Sequence, residues 1–270
     1  MPKLSVALIF KDEAANLPSW LAAVRPFADE IVALDSGSSD SGPDILKAHG
    51  VRVEYQPWLG YAQQRNKVCS LCTGDWILSL DADEWPDQDF IALMQSFKQQ
   101  PVPPKAMGYY ILRKVFFFGR FLRFGGFFPE KELRLMRAGQ GHWPEREVHE
   151  SLRVNGPVEV LQGGYINHYS YRNIGDYLKR LDRYSALAAR EMFREGKTAS
   201  PLKAVARGSF AFFNRYVMRL GFMDGFPGYL AARLEGIYTL SKYTRLWEMR
   251  QDIGNPPEAD PTEAKQIDPE

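Results

Sequence analysis

The sequence predicts an α/β fold built on a mostly parallel, doubly wound sheet, with amphipathic helices added at its C-terminal end. Short β-rich runs, LSVALIF (4–10), EIVALD (30–35), VRVEY (51–55) and DWILSL (75–80), recur early in the chain. Several are apolar on both alternating faces, as buried central strands of a parallel sheet are. Helical segments fit between them, and strands alternating with helices at this spacing make β-α-β units. Carboxylates gather at the ends of the runs: KDE (11–13) follows the first, Asp35 ends the second and Asp81 follows the fourth. Ligands of such sheets bind beyond the carboxyl ends of the strands, so the acids converge on the rim where a site is expected.

The elements follow in order. After the first strand, Asn16 before Leu17 and Pro18 predicts an N-cap with proline in the first helical turn. GPDILKAHG (42–50) predicts a helix that ends on a glycine suited to a C-cap. QQPVPPK (99–105) reads as a loop. Residues 108–137 mix aromatics, glycines and arginines and read as two or three strands with glycine-rich connections. Helical periodicity runs over 174–195 and again over roughly 201–249, and the proline-rich, acidic tail predicts disorder over 251–270. The organisation expected is a catalytic domain over 1–172, divided into halves 1–100 and 105–172, followed by a helical region over 173–250.

The net charge of +1 hides a division. Residues 1–104 carry 8 Lys and Arg against 14 Asp and Glu, whereas residues 105–250 carry 25 against 13. Basic surface of this kind meets phosphate, whether of a nucleotide, a nucleic acid or an anionic lipid. The two cysteines, Cys69 and Cys72, are too few for a disulfide framework or a four-ligand zinc site; packing inside a helix in a reducing cytosol is the expectation. MPKLSVALIF reads as a first strand rather than a secretion signal, and no run reaches the ~18 apolar residues of a membrane span.

SLDADEW (79–85) sets three carboxylates, Asp81, Asp83 and Glu84, straight after an apolar strand. In an extended backbone a D-x-D places two carboxylates on one side of the chain. Two oxygens from one short segment suit Mg²⁺ or Mn²⁺, whose open positions take substrate phosphate oxygens, and the metal then stabilises a departing diphosphate.

LSVALIFKDEAANL, IVALDSGSSD, GYAQQRN and GDWILSLDADE, in this order, resemble the family 2 glycosyltransferases, inverting enzymes that use nucleotide sugars and have the GT-A fold. GGFFPEKELRLMR, EVHESL, INHYSYR and GFMDGFPG further resemble the branch that includes lipopolysaccharide core β-1,4-glucosyltransferases. The resemblance implies that Phe10, Asp12, Glu13 and Asp35 line the nucleoside pocket, with uridine the expected base. It implies that Asp81 faces the ribose and metal-bound water, Asp83 coordinates the metal, Arg65 approaches the donor, and His168 reaches the metal or diphosphate. Arg134 is the expected diphosphate contact; Arg137, three residues on, would point to the opposite face of a strand. The general base falls on Glu150 at the end of PEREVHE, with Glu147 in reserve and His149 placed to orient the acceptor. FGGFFPE (124–130) becomes a loop around donor sugar and acceptor, with core packing of Phe127 and Phe128 the plain alternative. Where many members have two acids after the second strand, this chain has Asp35 then Ser36.

Residues 201–250 interleave Phe, Tyr, Trp, Leu and Met with Lys and Arg, a pattern that fits helices lying in a bilayer interface or packed on another surface. The function implied is transfer of a hexose, glucose from UDP-glucose, to a lipopolysaccharide core or other lipid-linked acceptor. The setting implied is the cytoplasmic face of the inner membrane, with no nucleic-acid partner. The alternatives are a nucleotidyltransferase, which normally shows a glycine-rich loop after its first strand where this chain has IFKDEAANL, a transferase with a peptide or polysaccharide acceptor, and a non-catalytic scaffold.

Overall fold

The structure, a computed structural model, describes residues 1–99, 106–117, 119–144, 151–169 and 173–251. They form two compact units. Among the described residues, one comprises Met1–Arg113 and Lys131–His168; the other holds Lys114–Glu130 and Tyr169–Gln251.

The first unit opens with β1 (Leu4–Phe10), α1 (Leu17–Val24), β2 (Glu30–Asp35), α2 (Gly42–Ala48), β3 (Arg52–Tyr55), α3 (Tyr61–Leu71) and β4 (Trp76–Ser79). It continues with β5 (Glu84–Pro86), α4 (Gln88–Gln99), β6 (Gly108–Phe117), β8 (Glu130–Arg137), β9 (Gly141–His142), β10 (Arg153–Val154), β11 (Val158–Val160) and β12 (Ile166–His168). The short β7 (Arg120–Phe121) pairs with the end of β6 in the second unit. The main sheet runs β3-β2-β1-β4-β8-β6-β12-β5. Its first four strands are parallel, as expected; β8 joins β4 antiparallel and β12 joins β5 antiparallel, so the second half of the sheet is mixed.

The period-two alternation of β1 explains the layers. Leu4, Val6, Leu8 and Phe10 face one way, into a core shared with Leu17, Trp20, Leu21 and Val24 of α1 and with Phe90 and Met94 of α4. Ala7 faces the other way, with Val32 and Leu34 of β2 and with Ala62, Val68 and Cys69 of α3. Helices thus cover both faces, which is why β1 and β2 are apolar on both. Cys69 and Cys72 belong to this packing: burial pushes both thiols up, Cys72 to about 12, which leaves them inert rather than redox-active.

Because β1, β2 and β4 are parallel, their carboxyl ends share one edge, with Phe10 directly opposite Asp35. The loops beyond them are locked to each other. Asp12 sits in the left-handed region at φ +54 and its Oδ1 accepts from Ser39 N at 2.7 Å and Ser39 Oγ at 3.0 Å, while Ser38 Oγ accepts from Asp12 N at 3.0 Å. These bonds hold the Asp12 carboxyl below its usual range, Ser39 N–H contributing most. Asp40 in turn accepts from Ala14 N at 2.7 Å. Asn16 precedes α1 as expected, but it does not cap by its side chain, which donates to Glu13 Oε2 at 2.5 Å instead.

In the second unit, α5 (Ile174–Arg194) and α6 (Pro201–Phe213) begin on side-chain caps from Asn173 and Ser200. The periodicity expected over 201–249 is not one continuous helix. A π-helical turn (Asn214–Met218) and a 3₁₀ turn (Gly221–Asp224) separate α6 from α7 (Gly225–Arg250). Gly228 permits the close approach at this break: a Cβ there would lie 2.0 Å from the Gly221 carbonyl oxygen. The loop expected over 99–105 lies outside the described residues from 100 onward, and the expected tail does so from 252.

Gly164 fixes where the strand leading to His168 meets α4, since a Cβ there would lie 2.3 Å from both the N and Cα of Phe90. Gly164→Ala is expected to cost about 2–3 kcal/mol, read as a lower urea midpoint at unchanged slope; a midpoint within error of the parent would contradict this packing.

Candidate active site

The rim beyond β4 carries the site. The extended backbone expected for D-x-D is not what forms: residues 81–84 make a turn, closed by Glu84 N donating to Asp81 O at 3.1 Å and Asp81 N donating to Glu84 Oε2 at 3.0 Å. Glu84 has no exposed surface, and its buried carboxylate needs internal partners, one of which is the Asp81 amide. The turn sends the two aspartates to different partners.

Asp81 holds arginines. Arg65 Nη2, from α3, donates to Oδ1 at 2.7 Å and Oδ2 at 2.9 Å; Arg134 Nη2, from β8, donates to Oδ2 at 3.1 Å. The antiparallel register Leu78↔Leu135 brings Arg134 level with the end of β4. Arg134 also lies 3.5 Å from Glu84 Oε1, and Arg113 Nη1, from β6, pairs with the same oxygen. Arg113 Nη2 reaches Glu132 at 3.3 Å. Arg137 is exposed, as opposite strand faces require. The Arg65 guanidinium loses solvation on burial, but Asp81 and Glu84 outweigh that and raise its pKa. Burial, with the charge of Asp81, pushes the Glu84 carboxyl up against the pull of Arg113. Among the described residues, Arg65 Nη1 and Arg134 Nε are buried without a hydrogen-bond partner.

Asp83 faces His168. The register His168↔Glu84 between β12 and β5 sets the imidazole beside the turn, with Nε2 3.6 Å from Asp83 Oδ2. Burial works against the imidazolium, but the nearby Asp83 carboxylate, with Glu84, outweighs it and raises the His168 pKa. Both side chains keep part of their surface in solvent, 26% for Asp83 and 19% for His168. The described residues contain no group of three or more His, Cys, Asp or Glu that would hold a metal unaided. A carboxylate and an imidazole do fit a hard divalent ion that takes its remaining positions from water and phosphate. Asp81, already balanced by two guanidiniums, fits that role less well.

The other expected residues are placed as follows. Phe10 is 2% exposed and packs in the core, and its carbonyl accepts from Ser36 N at 3.0 Å. Asp12 makes the loop lock described above, and Glu13 holds Asn16. Asp35 Oδ1 accepts from Ser38 N at 2.9 Å, Ser38 Oγ at 2.7 Å and Gly37 N at 3.2 Å, and none of these bonds uses Oδ2. Glu147, His149 and Glu150 lie outside the described residues; the chain approaches them through Trp143, which exchanges two 2.8 Å hydrogen bonds with Asn66 and lies under Arg65. In the second unit Phe127 packs against the Phe117, Leu122, Ala231 and Leu234 cluster.

The sequence reading missed Arg113 and the anchoring part of Glu84. A signal was present: Arg113 is in phase with Tyr109 and Ile111, the buried positions of β6, so an arginine on the inward face demanded an inward acid. Arg113→Met should destabilise the protein by about 3–5 kcal/mol, because it strands a buried carboxylate. Adding Glu84→Gln should recover part of that loss in a urea melt. A double variant as unstable as the sum of the two singles would contradict the pairing.

The family model for glycosyl transferase family 2 matches residues 5–135, which contain β1 to β4, the D-x-D turn and Arg134. A glycosyltransferase of Rickettsia typhi with no characterised activity is 26% identical over 260 residues, 93% of this chain and 88% of that protein. The lipopolysaccharide core biosynthesis glycosyltransferase LpsC of Rhizobium meliloti is 25% identical over 261 residues, 92% of this chain and 94% of its own length. Among solved structures, the mannosyltransferase PcManGT of Pyrobaculum calidifontis, in complex with GDP-Man and Mn²⁺, aligns over 91% of this chain and 87% of that one. Its TM-score of 0.54 at 14% identity establishes a shared fold, the GT-A type. Residues 5–135 thus match the glycosyl transferase family 2 model, and over nearly its whole length the chain is similar to proteins named as glycosyltransferases.

Proposed function

We propose that the chain is an inverting, metal-dependent hexosyltransferase that moves glucose from UDP-glucose to a sugar of the lipopolysaccharide core or another lipid-linked glycan at the cytoplasmic face of the inner membrane. The observation that carries this reading is the division within the D-x-D turn: Asp81 is clasped by Arg65 and Arg134, while Asp83 stands against His168. The near full-length likeness to LpsC, named for lipopolysaccharide core biosynthesis, supports the acceptor class. No described helix is long and apolar enough to cross a membrane, so contact with a lipid acceptor falls to surface residues.

Asp83 and His168 would hold Mg²⁺ or Mn²⁺. When bound, the ion supplies Lewis-acid stabilisation to the departing diphosphate. The donors Arg65 Nη1 and Arg134 Nε would add hydrogen bonds to phosphate oxygens, with Asp81 keeping both guanidiniums in place. Asp35 Oδ2 would accept from the uracil N–H, in a pocket bounded by Phe10, Asp12 and Glu13. Glu150 takes the proton from the acceptor hydroxyl on the face opposite the leaving group, which is what inversion in one displacement requires. In this reading residues 1–172 are the catalytic domain and 173–250 the helical region. The loop after β1 speaks against a nucleotidyltransferase: it holds no glycine and is shaped by the Asp12 to Ser39 bonds rather than by a phosphate cradle.

Calorimetry against a panel of nucleotide sugars, with and without Mn²⁺, tests donor and metal together. UDP-glucose is expected to bind, and only with the ion; tight binding of a different nucleoside, or binding indifferent to metal, would overturn the assignment. Glu150→Gln is expected to lower kcat by about 10²–10⁴-fold while leaving donor affinity intact. An unchanged rate would move the base elsewhere.

A further inference from the structure

The second unit ends in an apolar crown. Between α6 and α7, Val217, Met218, Leu220, Phe222, Met223 and Phe226 all project into solvent, with Met218 at 61%, Met223 at 59% and Phe226 at 71% exposure. Soluble surfaces scatter such residues singly, whereas here they fall within ten consecutive positions. The rings beneath them are ordered: Phe212 stacks on Tyr216 with centroids 5.3 Å apart, Tyr216 meets Phe222 at 6.2 Å and Tyr229 at 5.6 Å, and Phe226 stacks on Tyr229 at 6.3 Å.

The crown is held from behind. Asp224 accepts from Arg123 N at 3.2 Å and Phe124 N at 2.9 Å, Gly125 N donates to Arg219 O at 2.8 Å, and Arg215 Nη1 donates to Gly125 O at 3.0 Å. Arg215 also covers the Phe127 ring at 4.5 Å. This brace keeps Leu220 in the left-handed region at φ +58, a conformation that a bulky side chain adopts only when its surroundings impose it. Leu220 stands 47% exposed in this conformation.

Charge identifies the occupant. Residues 201–224 contain Lys203, Arg207, Arg215 and Arg219, and Asp224 is the sole acid, its carboxylate already engaged by the brace. Lys203, Arg207 and Arg219 are exposed. An apolar, aromatic and methionine-rich projection with exposed Arg219 within it, and with exposed Lys203 and Arg207 on the helix leading to it, matches a bilayer whose headgroups are anionic. A protein partner of similar shape would need acids on its own rim, and nothing in this unit selects one.

We propose that the turn from Val217 to Phe226 is a bilayer-docking element that inserts its apolar side chains among the acyl chains of an anionic phospholipid surface while Lys203, Arg207 and Arg219 meet the headgroup phosphates. The inference deepens the lipid-linked acceptor reading and rests on it for its purpose, but its test is independent of transfer. The full chain is sedimented with vesicles of phosphatidylglycerol and phosphatidylcholine, and with phosphatidylcholine alone. The parent is expected to pellet with the anionic vesicles and to bind the neutral ones at least about tenfold more weakly. Phe226→Ser combined with Met223→Ser is expected to lower binding to anionic vesicles by about tenfold or more. Phe226→Leu, and Tyr55→Ser on the other unit, should leave binding unchanged. Donor binding by calorimetry is read on every variant and is expected to match the parent's: a parent that binds donor but not anionic vesicles would sink the docking element and leave the hexosyltransferase reading standing, and a parent that binds the vesicles but no donor would do the opposite. A serine variant that pellets like the parent overturns the proposal. So does a parent that sediments as a dimer in the absence of lipid when the serine variant is monomeric, since the crown would then belong to a second copy of the chain.

Discussion

A carboxylate with no access to solvent, Glu84, is the constraint around which the catalytic unit is arranged. An ionised acid in such a place is tolerated only when cations and hydrogen-bond donors surround it. Arg113, Arg134 and the Asp81 amide supply them, and each comes from a different element: β6, β8 and the turn after β4. The network thus joins the parallel half of the sheet, whose strand ends carry the acidic rim, to the mixed half. It also explains why the D-x-D segment turns rather than running on as a strand.

The turn separates two tasks that a bare D-x-D leaves merged. Asp81 spends its charge on keeping Arg65 and Arg134 aligned, so these guanidiniums are oriented before any ligand arrives. Little side-chain entropy then remains to be lost when phosphate binds. Asp83 and His168 form a second pair that is partly open to solvent, and in the proposed function a proton and a metal cation would compete for the ground between them. The lock between Asp12 and Ser39 gives the rim beyond β1 and β2 a comparable rigidity.

The parallel half of the fold was legible because burial on both faces writes itself as continuous apolar runs, and β1, β2 and β4 fall within a residue of their expected bounds. The acids at the strand ends were legible for the same reason, since polar residues stand out after such runs. The pairing of β8 with β4 and of β12 with β5 was not readable, because register between distant strands depends on partners that no local pattern names. The break between α6 and α7 was hidden behind helical periodicity that continues through it; GFMDGFPG spans the place, and the approach of Gly228 to the Gly221 carbonyl shows that only a glycine fits there. Arg113 was overlooked because an arginine within an aromatic strand reads as solvated until its phase with Tyr109 and Ile111 is counted.

The account stands on unequal roles for the two aspartates, and electron paramagnetic resonance of Mn²⁺ titrated into the protein with UDP tests this directly. Asp83→Asn is expected to abolish the bound-manganese signal. Asp81→Asn should keep that signal while weakening UDP affinity, through arginines no longer held in place. Loss of the manganese signal in Asp81→Asn with retention in Asp83→Asn would contradict the division of labour on which the mechanism is built.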